Sequence, residues 1–178
     1  NKYRGLPICL CGHSWGAYSV SNAPNWNPDI KAVVALSAFN EPASIMKAHA
    51  SDFGAESQEN VMHALDTYDA YKWGQWGEST SVQALGRTNA KVLIVHSEDD
   101  RTVPITCGYD VYYEEYKNNP RFTFIKYRNK GHGTVYMSTE GKKYYDRLIT
   151  NYKKFCKKKK TSIKLLSMSQ EIINGLTE

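Results

Sequence analysis

The sequence predicts an α/β protein built on a parallel sheet, and three observations carry that expectation. Runs rich in apolar, β-branched and aromatic residues recur at 6–11, 30–37, 90–96 and 121–127. Near-continuous runs of this kind suit strands covered on both faces. Segments with helical spacing separate them, giving the order strand, helix, strand, helical insertion, strand, helix, strand, helix, which is that of right-handed crossover units. At 178 residues the chain is also long enough for one sizeable core, since a domain of this size removes roughly 70% of its unfolded surface from water.

Each element follows from local chemistry. Residues 6–11 enter a glycine-flanked serine, after which Ala17, Tyr18, Ser19 and Val20 open a helix. Pro24 and Pro28 close it, because proline lacks the amide that a helix needs. The run IKAVVALS at 30–37 is the second strand. Residues 43–88 contain no strand-like run and form a helical insertion with Met46, Met62, Tyr68, Tyr71, Trp73 and Trp76. Over 41–90 seven acidic residues oppose three basic ones, so the insertion is mildly acidic. AKVLIVH at 90–96 is the third strand, and Val111, Tyr112 and Tyr116 mark a helix over 105–118 that Asn118-Asn119-Pro120 stops. RFTFIKY at 121–127 is the fourth strand. From about Thr139 a last helix sets Tyr144, Leu148, Tyr152 and Phe155 on one face. The organisation expected is a core of 1–42 and 89–160, a helical cap at 43–88, and a tail at 161–178 with its own amphipathic pattern.

The net charge of +5 resides in the lysines between Lys153 and Lys164. Such a run is foremost a solvated helix end that complements the helix dipole; docking to a membrane or an acidic partner is its lesser use. No stretch approaches the roughly 18 apolar residues of a membrane span. No nucleic-acid-binding motif accompanies the lysines, so nucleic acid is not an expected partner. Cys9, Cys11, Cys107 and Cys156 show neither metal-site spacing nor disulfide density. They read as buried thiols of a reducing, cytoplasmic compartment, with Cys156 the exposed exception. No metal and no cofactor is expected, because none of the histidines stands in ligand spacing with another ligand type.

The chemistry concentrates at Gly12-His13-Ser14-Trp15-Gly16. A Gly-x-Ser-x-Gly pattern arises by chance in roughly one such chain in twenty, so its context decides. Here it follows a strand and opens a helix, as a nucleophile elbow requires, with glycines that allow close backbone approach. A serine hydroxyl needs a base to take its proton, and the base needs a carboxylate to orient it. Downstream lie His96-Ser97-Glu98-Asp99-Asp100-Arg101-Thr102-Val103-Pro104 and Lys130-Gly131-His132-Gly133, in the order Ser, Asp, His. The base is His132, and the acid is Asp100 or Asp99. The backbone N–H of Trp15 is an expected oxyanion donor. Trp73 and Trp76 are candidate walls of a pocket for an apolar acyl group. His13 reads as filler at the elbow, and His96 as structural.

GHSWG, HSEDDRTVP and KGHG resemble the three catalytic segments of the α/β-hydrolase superfamily, over residues 6 to about 155. By that resemblance Asp100 is the acid, Ser97 stands where members often carry glycine, and 43–88 lies where they carry a cap. The resemblance implies a serine hydrolase acting on a small-molecule ester or acyl substrate. A peptidase, an acyltransferase or a non-catalytic binding protein on the same scaffold are its rivals. It further implies strands upstream of residue 6 and a second oxyanion donor there. The chain is therefore expected to be the catalytic half of a longer enzyme, with little turnover by itself.

Overall fold

The computed structural model describes residues 5–49, 55–74 and 79–159. Four strands, β1 (Ile8–His13), β2 (Ile30–Leu36), β3 (Lys91–Ser97) and β4 (Phe122–Tyr127), lie side by side in chain order, all parallel. The expected α/β class is thus observed. β1 begins two residues later than the apolar run, at Ile8, which pairs with Ile30. Pro7 precedes it and has no amide to donate to a ladder.

The helices are α1 (Trp15–Asn22), α2 (Pro42–His49), α3 (Ala55–Trp73), α4 (Ser81–Gly86), α5 (Tyr109–Tyr116) and α6 (Thr139–Lys159). α1, α4 and α5 supply Ala17, Leu85, Tyr112 and Tyr116 to one core with Val33, Ala35, Val92 and Ile94 of the sheet. Two tyrosine hydroxyls end in that layer on backbone carbonyls: Tyr112 donates to Phe39 and Tyr116 to Val82, each at 2.7 Å. A buried hydroxyl without a partner would cost about 1–3 kcal/mol, so these bonds are a condition of packing tyrosine there. Asn22 joins α1 to the start of α4, donating to Ser81 Oγ at 3.0 Å and accepting from Ser79 Oγ at 2.8 Å.

Three expectations are corrected. The segment 43–88 is not cap throughout: α2 and α3 pack on each other, whereas α4 is built into the core through Leu85, with Ala84 also fully buried. Short as it is, α4 lies between β2 and β3 in the chain and packs on α1 and α5. The helix expected over 105–118 is broken into a 3₁₀ turn (Ile105–Cys107) and α5, with Gly108 between them. A Cβ at Gly108 would lie 1.9 Å from the carbonyl oxygen of Ala38, so only glycine lets α5 start against the end of β2. Finally, Cys9 and Cys11 are exposed and Cys156 is buried, the reverse of the expectation for these three, whereas Cys107 is buried as expected. β1 is the edge of the described sheet, and Leu10 packs on the core while its neighbours 9 and 11 point to the opposite face.

Residues 5–135 form one compact unit, and the described part of the other is 136–159. Within the second unit the Ser138 hydroxyl accepts the Gly141 N–H at 3.0 Å, which caps α6. Tyr152 and Cys156 are buried, whereas Tyr144 and Phe155 are exposed, so the expected apolar stripe is narrower than its sequence spacing. The tail 161–178 and Trp76 lie outside the described residues, as does the side chain of Trp73. No described helix is long and apolar enough to cross a membrane.

Candidate active site

Ser14 stands between β1 and α1 with φ 58 and ψ −122, a conformation that costs a non-glycine residue of order 1–3 kcal/mol. Its backbone is fixed from both sides. The amide donates to Leu36 O at 2.9 Å, and the carbonyl accepts from Ala17 N at 2.9 Å and Tyr18 N at 3.1 Å, starting α1. Such a turn lifts the side chain out of the strand-to-helix path. A Cβ at Gly12 would lie 2.2 Å from Gly16 O, so position 12 admits no side chain. Gly16 differs from the expectation: a Cβ there meets nothing within 4 Å among the described residues.

Trp15 heads α1, and its N–H is among the first amides of a helix, which lack intrahelical acceptors. Its ring is half exposed and meets Phe39 edge-on at 4.9 Å, and Tyr18 stacks on Phe39 at 5.1 Å. The elbow therefore carries an aromatic surface beside Ser14.

Asp100 and His132 come together although 32 residues separate them: His132 Nδ1 donates to Asp100 Oδ2 at 2.8 Å. The other oxygen, Oδ1, accepts the amides of Thr102 at 3.0 Å and Val103 at 2.8 Å. The Asp100 side chain is fully buried. Burial is the largest single influence on its pKa and raises it. The bonds from His132 and Val103, with the nearby His132 and His96 rings, outweigh burial, and the carboxyl stays ionised below the usual range. A carboxylate can only accept, so Nδ1 of His132 carries a proton, and in the neutral tautomer this selects, Nε2 is the nitrogen with the lone pair.

Two histidines do more than their sequence context suggests. His13, next to Ser14, bonds through Nε2 to the backbone carbonyl of His132 at 2.8 Å, and the two rings lie 4.7 Å apart. The elbow and the loop bearing His132 are thereby tied directly. His96 is fully buried, and its Nε2 donates to Val103 O at 3.0 Å while lying 3.5 Å from Asp100 Oδ2. Burial, the largest influence, holds its pKa below 6.5, so this is a neutral imidazole and not an ion pair. The folded state then resists a proton that the unfolded chain accepts. Stability should be complete above pH about 6.5 and fall by up to ~1.4 kcal/mol per pH unit below it, until the depressed value is reached. Thermal unfolding between pH 8 and 5 checks this: His96→Gln, which keeps an N–H donor, should flatten the slope.

Among the described residues no three His, Cys, Asp or Glu side chains converge as a metal site.

A parallel sheet bearing a strained serine between strand and helix, with a hydrogen-bonded Asp–His pair on the loops after β3 and β4, is the arrangement of the α/β-hydrolase superfamily. Residues 6–159 match the model of the prolyl oligopeptidase family, and the chain belongs to that family. A search of curated proteins gave no match. Similar solved structures include an acylaminoacyl peptidase of Pyrococcus horikoshii, at 13% identity and TM-score 0.53, covering 97% of this chain and 26% of that one. Acetyl xylan esterase 1 from Thermoanaerobacterium sp. matches at 14% identity and TM-score 0.52, covering 79% and 44%. A puromycin-hydrolysing peptidase of Mycobacterium tuberculosis matches at 15% identity and TM-score 0.50, covering 73% and 20%. The chain thus spans less than half the length of each of these three.

Proposed function

We propose that this chain carries the catalytic residues of a serine hydrolase that cleaves carboxylic esters through an acyl-enzyme on Ser14. The observation that supports it most is the 2.8 Å bond from His132 Nδ1 to Asp100, beside a serine held at φ 58. Ser14 Oγ attacks the acyl carbon while His132 Nε2 takes its proton. Asp100 holds the tautomer and stabilises the imidazolium. The Trp15 N–H receives the developing oxyanion, and His132 then protonates the leaving group. Water, deprotonated in turn by His132, releases the acid. The exposed Trp15 ring, with Phe39 and Tyr18, favours an apolar acyl group over a charged one.

A second reading, peptide or acylaminoacyl amide cleavage, is favoured by the family match over 6–159. Ester and amide cleavage use one constellation and differ in how strongly the leaving group must be protonated. Labelling the whole protein with a fluorophosphonate and mapping the adduct should place it on Ser14. No adduct, or one on another residue, removes the hydrolase reading. Turnover on matched acyl esters and acylaminoacyl amides then separates the two bond types.

A further inference from the structure

We propose that Ser97 and Asp99 form a hydrogen-bonded clamp that positions His132, with Asp99 a positioning residue and not an alternative acid. The proposal rests on His132 being the base. Ser97 and Tyr127 end β3 and β4, and Glu98 N–H still reaches Tyr127 O at 2.8 Å. Past that bond the loops bearing Asp100 and His132 are joined through side chains. Ser97 Oγ accepts the Lys130 N–H at 2.8 Å and donates to Asp99 Oδ1 at 2.6 Å. The same Oδ1 accepts the Gly131 N–H at 2.8 Å.

One hydroxyl and one carboxylate oxygen thus hold the two consecutive amides that precede His132. Gly131, at φ 58, turns the chain from the clamp into His132, and the Thr134 hydroxyl bonds the Lys130 carbonyl from the other side. Asp99 is held ionised below the usual carboxylate range chiefly by the Ser97 hydroxyl, which outweighs desolvation, with the Gly131 amide assisting. A clamp of this kind matters because a misplacement of about 1 Å at a catalytic group costs roughly 10²-fold in rate. Ser97 is fully buried, whereas Asp99 is exposed, so truncating Asp99 leaves no cavity.

The test uses the whole protein, an ester substrate and the low-field proton resonance of His132 Nδ1–H. Asp99→Ala should lower kcat by about 10- to 100-fold with KM nearly constant, and broaden that resonance. Asp99→Asn keeps an oxygen for both donors and should restore most of the rate. Ser97→Ala should fall similarly, and the double variant should be no worse than the poorer single one, as for groups acting together. Wild-type kcat with a sharp resonance in Asp99→Ala overturns the clamp, and so does an Asp99→Asn as damaged as Asp99→Ala. Asp100→Ala serves as the reference. If it leaves turnover unchanged, the assignment of His132 as base fails; if it abolishes turnover while Asp99→Ala does not lower it, the clamp alone fails.

Discussion

Ser14→Ala in the whole protein is expected to lower kcat by about 10⁶-fold, or ~8 kcal/mol of transition-state stabilisation, with little change in KM. The reason lies in what the substitution spares. The bonds that hold the elbow run through the Ser14 backbone to Leu36, Ala17 and Tyr18. Alanine keeps the same Cβ and meets the same strain at φ 58, so the turn and the first amide of α1 persist. Only Oγ is lost. What remains is the contribution of oxyanion donors and substrate binding, of order 10³–10⁴ over water. Adding His132→Ala to Ser14→Ala should then cost almost nothing, because a base without its nucleophile has no proton to take. Single-turnover kinetics on an activated ester, with thermal unfolding as a check on the fold, measures both. A Ser14→Ala protein retaining more than about a tenth of wild-type turnover would remove Ser14 from the chemistry.

The parts of the site that were legible in the sequence are those fixed by local geometry. A strand, a glycine with no room for Cβ and a helix start are consecutive in the chain, so Gly12, Ser14 and Trp15 announce the elbow together. The strands at β2 and β3 were equally plain, because strands covered on both faces leave almost nothing polar in their runs. The edge strand misled for the converse reason: a run containing Cys9 and Cys11 looks buried, yet in the described sheet β1 is an edge and both thiols are exposed. Contacts between distant loops left no local signal. Nothing in a sequence shows that His13 reaches the carbonyl of His132, or that Asp99 serves the loop while Asp100 serves the ring. Adjacent aspartates look equivalent as letters. They diverge because Asp100 is buried with two amides and a histidine, while Asp99 faces solvent and grips the neighbouring loop. Ser37, buried at φ 48 after β2, is likewise invisible in its sequence context.

Asp100→Asn is expected to lower turnover by about 10⁴-fold at neutral pH, an effect far larger than the loss of one hydrogen bond. The amide is isosteric with the carboxylate, so its orientation decides the outcome. Two backbone donors, Thr102 N–H and Val103 N–H, converge on Oδ1 and demand an oxygen there. The substituted side chain must therefore turn its NH₂ group to the position of Oδ2, against His132 Nδ1. A donor at that position accepts only the tautomer with Nδ1 bare and the proton on Nε2, which leaves Ser14 without a base. The charge that would stabilise the imidazolium is also gone. The fold should survive at neutral pH, since both backbone bonds are kept. In acid the variant should lose less stability than the wild type. The native Asp100 carboxyl titrates below its ordinary value, so its contribution is full above pH about 4 and disappears as pH falls through the depressed value. Kinetics on esters and unfolding curves from pH 7 to 2 test both halves. Turnover by Asp100→Asn within tenfold of wild type would show that Asp100 does not set the tautomer of His132.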